Sequence, residues 1–127
     1  MAGNLTNYLE NKLIDHFLGT TSYTMPAAVY IGLFTVAPTD AGGGTEVTGG
    51  SYARQAATFS AASSGATSND TNIDFTGMPA ATTVAIGIFD ASASGNMLLY
   101  GTLTTNKTTD AGDTLRIATG DLDISID

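Results

Sequence analysis

The sequence predicts a mainly β protein, namely an antiparallel β-sandwich or barrel-like domain of about seven strands with one N-terminal α-helix. Three observations carry this prediction. One stretch near the start has helical periodicity, the rest of the chain consists of short runs of β-forming residues, and Gly, Pro, Asn, Asp and Ser cluster between those runs. Short strands at this spacing are typical of sandwiches and barrels. We predict a single domain over residues 1–127, with the helix at 4–18 and the β-domain at 27–126.

The helix is predicted for the stretch "NLTNYLENKLIDHFL", residues 4–18. Asn4 is a suitable N-cap residue, and Gly19 stands where a glycine commonly follows the end of a helix. Because the apolar stripe of this helix is too wide to leave exposed, we expect it to dock, preferably on the chain's own β-domain. The stripe consists of residues four apart and is widened by two more: Leu5, Leu9, Leu13 and Phe17, with Ile14 and Leu18.

The β-domain is predicted from seven runs of β-branched and apolar residues that are separated by turn residues. In chain order the runs are Ala27–Thr35, Tyr52–Ser60, Thr71–Phe75, Thr82–Asp90, Met97–Thr104, Thr114–Ala118 and Leu122–Ile126. The polar stretch "SAASSGATSND", residues 60–70, is rich in small side chains, and we expect a loop or a mobile arm there.

Two of the predicted strands have similar sequences, "VYIGLF" at 29–34 and "VAIGIF" at 84–89. In each, alternate apolar residues share one face of the strand, whereas Gly32 and Gly87 lie on the opposite face. Glycine weakens the interior of a strand unless another group approaches it closely. The similarity therefore reflects either two core strands alike by chance or by fold symmetry, or two central strands whose glycines are covered by the helix or by a second sheet.

Composition argues against several classes of partner. The net charge is −8, and the four cations are scattered, so we expect neither a nucleic-acid surface nor an anionic-membrane surface. The chain has no cysteine, which excludes disulfides, zinc–thiolate sites and thiol catalysis. No apolar run approaches the length of a membrane span, and no signal peptide is visible. Charged residues make up only 13% of the chain, so its surface of short neutral side chains suits coverage by another protein.

The most distinctive stretch is "LFTVAPTDAGGGTEVTGGSYARQ", Leu33–Gln55. Its glycines do not match a phosphate-binding loop, because no lysine follows them and β-like sequence comes next instead of a helix. Asp40 and Glu46 would also repel a phosphate. We interpret the stretch as a long surface connection between two strands, free to contact a neighbouring protein, and we predict no cofactor.

No catalytic site is predicted either. His16, the only histidine, falls within the apolar stripe, and we expect it to be packed rather than to act as a base. The chain has no G-x-S-x-G nucleophile motif. Asp121, Asp123 and Asp127 alternate with apolar residues, which indicates a solvated face or a charged edge, and calcium binding there is left open. We therefore expect no enzyme activity and no small-molecule substrate, and we assign no metal ligands.

Six segments carry a resemblance to a known family: "NYLENKLIDHFLG", "VYIGLFT", "APTDAGGGTEV", "GGSYARQ", "NIDFTGMPAATTVAIGIFDA" and "LLYGTLTTNKTTDAGDTLRIATGDLDISID". Together they cover nearly the whole chain, which resembles a family of small virion structural proteins of tailed bacteriophages. Members of that family are often labelled tail-fibre proteins, and some chains of similar size and pattern are implied to be cement, or decoration, proteins on the capsid. The resemblance brings no catalytic residues with it.

From the resemblance and the composition we expect a virion protein, and we favour a capsid cement protein. It would bind the major capsid protein on the outside of the shell and stabilise capsomer joints, as a homo-oligomer with a trimer favoured. A tail or tail-fibre component is the alternative, and a small cell-surface glycan hydrolase is a remote one. The absence of repeats and coiled-coil heptads favours cement, because a long fibre commonly has them.

The glycine-rich stretch is expected to form part of the protein–protein contact surface. Tyr52 and Arg54 are the predicted anchors, because Tyr and Arg are the residue types that often dominate binding energy at interfaces. An intramolecular pair between Arg54 and a carboxylate is an equally good interpretation. The predicted contact residues are Pro38, Asp40, Glu46, Tyr52 and Arg54.

Overall fold

A computed structural model describes residues 4–126, which form one α-helix and ten β-strands. In chain order these are β1 (Asn4–Leu5), α1 (Asn7–Phe17), β2 (Val29–Val36), β3 (Thr45–Glu46), β4 (Gln55–Ala57), β5 (Ala66–Ser68), β6 (Ile73–Met78), β7 (Ala81–Phe89), β8 (Met97–Thr109), β9 (Asp113–Ile117) and β10 (Asp123–Ser125). The predicted fold class, mainly β with one N-terminal helix, is confirmed.

The strands form one large sheet and two small ones, and every pairing is antiparallel. The large sheet has the order β1-β8-β7-β2-β3, and β4 pairs with another part of β2. The small sheets are the pairs β6–β9 and β5–β10. The two segments of similar sequence lie in β2 and β7, which are core strands, as predicted, and which are neighbours in the interior of the large sheet.

The main core lies between the large sheet and the two small sheets. Side chains of β2 and β7 on one face of the large sheet, such as Ile31 and Ile86, share a buried cluster with Phe75 of β6, Leu115 of β9 and Ile124 of β10. Because residues of all three sheets meet in one apolar cluster, the small sheets form a second layer over the large one. The opposite face of the large sheet carries a separate, smaller apolar cluster.

Three strands were not among the predicted ones: β1, β3 and β5. Each has only two or three residues, too few to show an alternating pattern. The strand β5 corrects the interpretation of residues 60–70 as a loop or mobile arm, because Ala66–Ser68 pair with Ser125–Asp123. This pairing joins residues far apart in the sequence, so the polar segment gives no local signal of it.

The start of the helix also differs from the prediction. The N-cap residue is Thr6 instead of Asn4, and its hydroxyl accepts a hydrogen bond from the Leu9 N–H at 3.4 Å. Asn4 and Leu5 are instead in the sheet, where Leu5 lies opposite Leu99. Because Asn4 and Leu5 pair with β8 as a strand, the helix can begin only after them.

The helix docks through its N-terminal half alone. Leu9 is buried, but Phe17 is 75% exposed, so the predicted docking of the full stripe is wrong at its C-terminal end. His16 is exposed as well, and its Nδ1 accepts a hydrogen bond from the Tyr23 N–H at 3.1 Å instead of packing in the stripe. Gly19 follows the helix with φ of +82°, as expected for a terminating glycine.

Candidate functional site

The two similar segments pair with each other at the centre of the large sheet. Gly32 lies directly opposite Gly87 in the antiparallel β2–β7 ladder, and the pairs on either side of them consist of buried aliphatic residues. The repeated pattern in the sequence therefore corresponds to a local two-fold relation between neighbouring strands. On one face of the sheet, the two glycines leave a position without side chains.

Two phenylalanine rings cover this glycine pair. Phe34 and Phe89 are stacked with ring centres 6.1 Å apart and an angle of 8° between the ring planes. A methyl group on Gly87 would lie 3.0 Å from both rings, and one on Gly32 would lie 2.9 Å from Oε2 of Glu46. Of the two interpretations offered from the sequence, the one in which the helix or a second sheet covers the glycines is therefore wrong, because side chains of the same sheet cover them.

Arg54 packs against this aromatic pair. The centre of its guanidinium lies 3.5 Å from the centre of the Phe89 ring. Its Nε and Nη2 donate to the two carboxylate oxygens of Glu46, each at 2.9 Å, and its Nη1 donates to the carbonyl oxygens of Ala91 at 3.2 Å and Ser94 at 2.8 Å. Only 10% of the Arg54 side chain is exposed. The cation is thus held by a bidentate carboxylate, two carbonyl groups and an aromatic face.

Tyr52 completes the same group of contacts. Its hydroxyl donates to Oε2 of Glu46 at 2.7 Å and accepts from the Leu33 N–H at 2.8 Å. Its ring stacks on Phe75 of β6, with ring centres 6.0 Å apart. We call Glu46, Tyr52 and Arg54 the clasp, because they join the glycine-rich stretch to the large sheet, the second layer and the β7–β8 connection.

The clasp changes the acidity of its members. Burial by itself would raise the pKa of the Glu46 carboxyl, but hydrogen bonds from Arg54 and Tyr52 outweigh it, so this pKa lies below its usual value. Burial also raises the pKa of the Tyr52 phenol, and the hydrogen bond that the phenol donates to Glu46 raises it further. At neutral pH the clasp therefore holds an ionised carboxylate and a protonated phenol, and both are already hydrogen-bonded.

The top of the glycine-rich stretch is fixed to the start of the helix and to β8. The carbonyl oxygen of Asp40 accepts the Asn7 N–H at 2.9 Å, and its carboxylate accepts a hydrogen bond from the Tyr100 hydroxyl. That hydrogen bond raises the pKa of Tyr100. Thr39 and Gly42 exchange two backbone hydrogen bonds, at 2.9 and 2.8 Å, which closes a tight turn between these anchors. The stretch is thus an ordered part of the fold.

One glycine in this stretch is required by its surroundings. Gly44 has φ of +74°, and a methyl group on it would lie 2.6 Å from the carbonyl oxygen of Val36 and 2.8 Å from the nitrogen of Pro38. Only glycine combines this backbone conformation with so close an approach. Pro38, which also belongs to the stretch, is buried.

A cleft of about 450 Å³ opens between the glycine-rich stretch, the start of α1 and the β7–β8 connection. Phe34, Phe89 and Met97 are among the apolar residues that line it, and Asn7 and Asn96 are among the polar ones. The cleft has the size of a small-ligand pocket. Its charged residues Asp40, Glu46 and Arg54 are already hydrogen-bonded within the chain. The cleft therefore offers mainly neutral hydrogen-bonding groups, which suit contact with another protein segment.

The predicted contact residues have different positions in this site. Glu46, Tyr52 and Arg54 form the clasp, Asp40 lines the cleft, and Pro38 is buried. An intramolecular pair between Arg54 and a carboxylate, one of the two interpretations offered from the sequence, is therefore present. Contact of these five residues with a partner stays a prediction.

The sequence analysis missed the part of the site that comes from the β7–β8 connection. Phe89 could have been suspected, because it occupies the same position in its segment as Phe34. The carbonyl groups of Ala91 and Ser94 had no such signal, since any residue type provides a carbonyl group. They lie 37 and 40 residues beyond Arg54.

The acidic C-terminal segment shows no metal centre in the part that is described. Asp121 and Asp123 are exposed, and Asp127 lies outside the described residues. Across residues 4–126, no group of three or more His, Cys, Asp and Glu side chains is arranged to hold a metal ion. The one described helix is too short and too polar to cross a membrane.

Comparison with known proteins gives one family. The family model described as "Podophage GP4 fiber I protein gp80" matches residues 4–125, nearly the whole chain. The match includes the clasp, the glycine pair and the helix. No curated protein matches the sequence.

Proposed function

The chain belongs to the podophage GP4 fiber I protein gp80 family, and from this premise we propose that it is a structural component of a phage tail fibre. It is a virion structural protein of a bacteriophage. The observation that carries the fibre proposal is the family match over residues 4–125. The sequence analysis favours capsid cement and keeps the tail fibre as its alternative, and the family description supports that alternative.

The clasp supports a role in protein–protein contact. A partner that covers a mobile loop must order it, and the cost of ordering lowers the affinity. Here the glycine-rich stretch is already fixed by Glu46 and Arg54 at one end and by Asp40 at its top. The stretch therefore presents a contour that exists before the partner arrives. The exposed residues along it, such as Ala41, Gly43 and Thr48, are small and can approach a partner closely.

We propose that the partners are other copies of this chain and a neighbouring protein of the tail. Large apolar side chains remain exposed on the described chain, among them Phe17, Leu18 and Met25. Apolar surface of this kind is often covered in an assembly. A closed homo-oligomer, with a trimer favoured, fits a fibre subunit. Few charges need to be desolvated when such a surface is covered.

We propose no enzymatic role. The carboxylates that line the cleft, Asp40 and Glu46, each accept hydrogen bonds from the chain itself, and Glu46 is ion-paired. A general acid needs a raised pKa, but the pKa of Glu46 is lowered. This arrangement argues against the remote alternative of a glycan hydrolase, which needs two carboxyl groups on opposite sides of the scissile bond.

Cryo-EM of virions that carry a tagged copy of this protein tests the location. A short epitope is inserted between Ala61 and Ala62, which are both exposed, and antibody fragments mark its position. We expect label on the tail alone. Label repeated over the capsid at capsomer joints would contradict the fibre proposal and support cement. A second insertion, between Ala111 and Gly112 in the exposed β8–β9 turn, controls for an epitope that is covered at one position.

A further inference from the structure

We propose that the N-terminal unit, residues 4–28, is exchanged between copies of this chain. The unit comprises β1, α1 and the linker that follows the helix. In the exchanged assembly, β1 and α1 of one copy dock on β8 of another copy. The proposal does not depend on where the protein lies in the virion.

The first observation is that the unit is held by contacts with β8 and by one backbone hydrogen bond from the Asn7 N–H to the Asp40 carbonyl oxygen. Leu5 lies opposite Leu99 in the β1–β8 ladder. The Thr6 N–H donates to the Leu98 carbonyl oxygen at 2.9 Å, and the Thr6 hydroxyl donates to the Met97 carbonyl oxygen at 2.7 Å. Thr6 is almost completely buried. A second copy offers the same strand with the same groups, so each of these contacts can form between copies without change.

The second observation concerns the linker. Within the described chain, the hydrogen bonds found for residues 19–28 all go to the end of α1. Thr20 and Thr21 donate to the Asp15 carbonyl oxygen, and Tyr23 donates to His16. The next ladder contact along the chain is Val29 with Ala57. The helix and the first part of the linker can therefore move as one piece, with residues 24–28 as the hinge.

The hinge favours an extended path. Pro26 restricts its own backbone, and it biases Met25 toward an extended conformation. Five extended residues, 24–28, reach about 16 Å at roughly 3.3 Å per residue. The hinge is therefore long enough to carry β1 and α1 from their own β8 to the β8 of a copy that lies against it.

The third observation is the location of the exposed apolar side chains. The described chain has six large hydrophobic side chains that are exposed, and four of them lie in this unit: Ile14, Phe17, Leu18 and Met25. Phe17, Leu18 and Met25 are 75%, 77% and 81% exposed. When copies exchange the unit, their linkers and helix ends pass close to each other, and these side chains can be covered. Exchange thus keeps the contacts of the unit and adds burial that an isolated copy lacks.

Disulfide trapping tests the exchange, because the native chain has no cysteine. The variant with Leu5→Cys and Leu99→Cys places two thiols at directly opposed ladder positions, which suit a disulfide. After purification and mild oxidation, we expect disulfide-linked oligomers on a denaturing gel without reductant. A disulfide confined to single chains would overturn the proposal, whether or not the protein is oligomeric.

Two further experiments keep the test decisive. Thr82→Cys with Thr108→Cys joins β7 to β8 inside the body, where the two hydroxyl oxygens are 3.0 Å apart, and it must give only internally bridged monomers. Should Leu5→Cys with Leu99→Cys not fold, the neighbouring ladder pair Asn4→Cys with Tyr100→Cys replaces it. Co-expression of the Leu5→Cys chain with a Leu99→Cys chain of different mass is expected to give a disulfide-linked dimer of one copy of each. No such mixed dimer would contradict exchange.

Discussion

Gly32 and Gly87 face each other across β2 and β7, and the Phe34–Phe89 stack occupies the space that their missing side chains leave. The clasp arginine packs on that stack. The glycine pair therefore determines the position of the clasp, because it leaves the space for the rings on which Arg54 packs. The sequence pattern alone does not show this relation between the glycines and the arginine.

The first prediction concerns this pair. Gly87→Ala is expected to lower the free energy of unfolding by about 1–3 kcal/mol, because the added methyl group overpacks both phenylalanine rings. Urea unfolding monitored by circular dichroism measures it. Ala56→Val, at an exposed position of β4, is the control and is expected to have little effect. Equal midpoints for Gly87→Ala and the parent would show that the rings move aside without cost.

The second prediction compares two arginines that both pair with a carboxylate. Arg54→Lys is expected to destabilise the fold by roughly 1.5–3 kcal/mol, because lysine cannot reproduce the bidentate pair and the two carbonyl contacts. Arg116→Lys, in the exposed pair with Asp74, is expected to leave the unfolding midpoint almost unchanged. Similar losses of stability for Arg54→Lys and Arg116→Lys would contradict our inference that the buried arginine contributes more to stability than the exposed one.

The third prediction concerns pH. The pKa of Glu46 is lower in the folded chain than its ordinary value, so its ionised form adds stability above the ordinary pKa. This contribution is lost as pH falls through the folded pKa. The stability difference between the parent and Glu46→Gln is therefore expected to be largest near neutral pH and to shrink below about pH 4. Urea midpoints of both proteins, measured at a series of pH values, check this expectation. A stability difference that does not change with pH would rule out the ionisation of Glu46 as the cause of the pH dependence.

The fourth prediction concerns a buried hydroxyl. Thr83 is fully buried, and its hydroxyl has no hydrogen-bond partner in the described chain. Thr83→Val keeps the shape of the side chain and removes the unsatisfied hydroxyl. The free energy of unfolding is therefore expected to stay the same or to rise by up to about 1–3 kcal/mol. Thr109→Val is the matched control, because the buried Thr109 hydroxyl donates to the Pro79 carbonyl oxygen at 2.8 Å. That variant is expected to be destabilised. A comparable loss for Thr83→Val would indicate a partner such as a bound water.

The central strands could be predicted from the sequence because each is a run of apolar and β-forming residues bounded by turn residues. In the structure both are buried on both faces, over Ile31–Phe34 and Ala85–Phe89, as central strands of the large sheet. The short strand Ala66–Ser68 is polar and has no such run, and the strand with which it pairs, Asp123–Ser125, is far away in the chain. Helix periodicity identified α1, but it could not show that docking stops near Leu9, since that depends on where the sheet ends.

The candidate site could be predicted only in part. Composition and the cluster of glycines identified the stretch from Leu33 to Gln55, and Arg54 was singled out as one of four cations. Which of the twelve acidic residues would pair with it could not be predicted, because that choice depends on how the chain turns between β3 and β4. The cleft depends on the contact between β8 and the start of α1 at Thr6. A contact between residues so far apart in the chain cannot be predicted from a single sequence.

The clasp also has a consequence for the rate at which the protein unfolds. Arg54 binds groups that lie 8, 37 and 40 residues away, so its contacts can form only after the chain between them has closed into loops. Since these loops must close first, we expect the contacts of Arg54 to be absent from the transition state of folding. We therefore expect Arg54→Lys to accelerate unfolding and to leave the refolding rate nearly unchanged. For a particle that must persist outside its host, the lifetime of the folded state depends on this unfolding rate more than on the equilibrium.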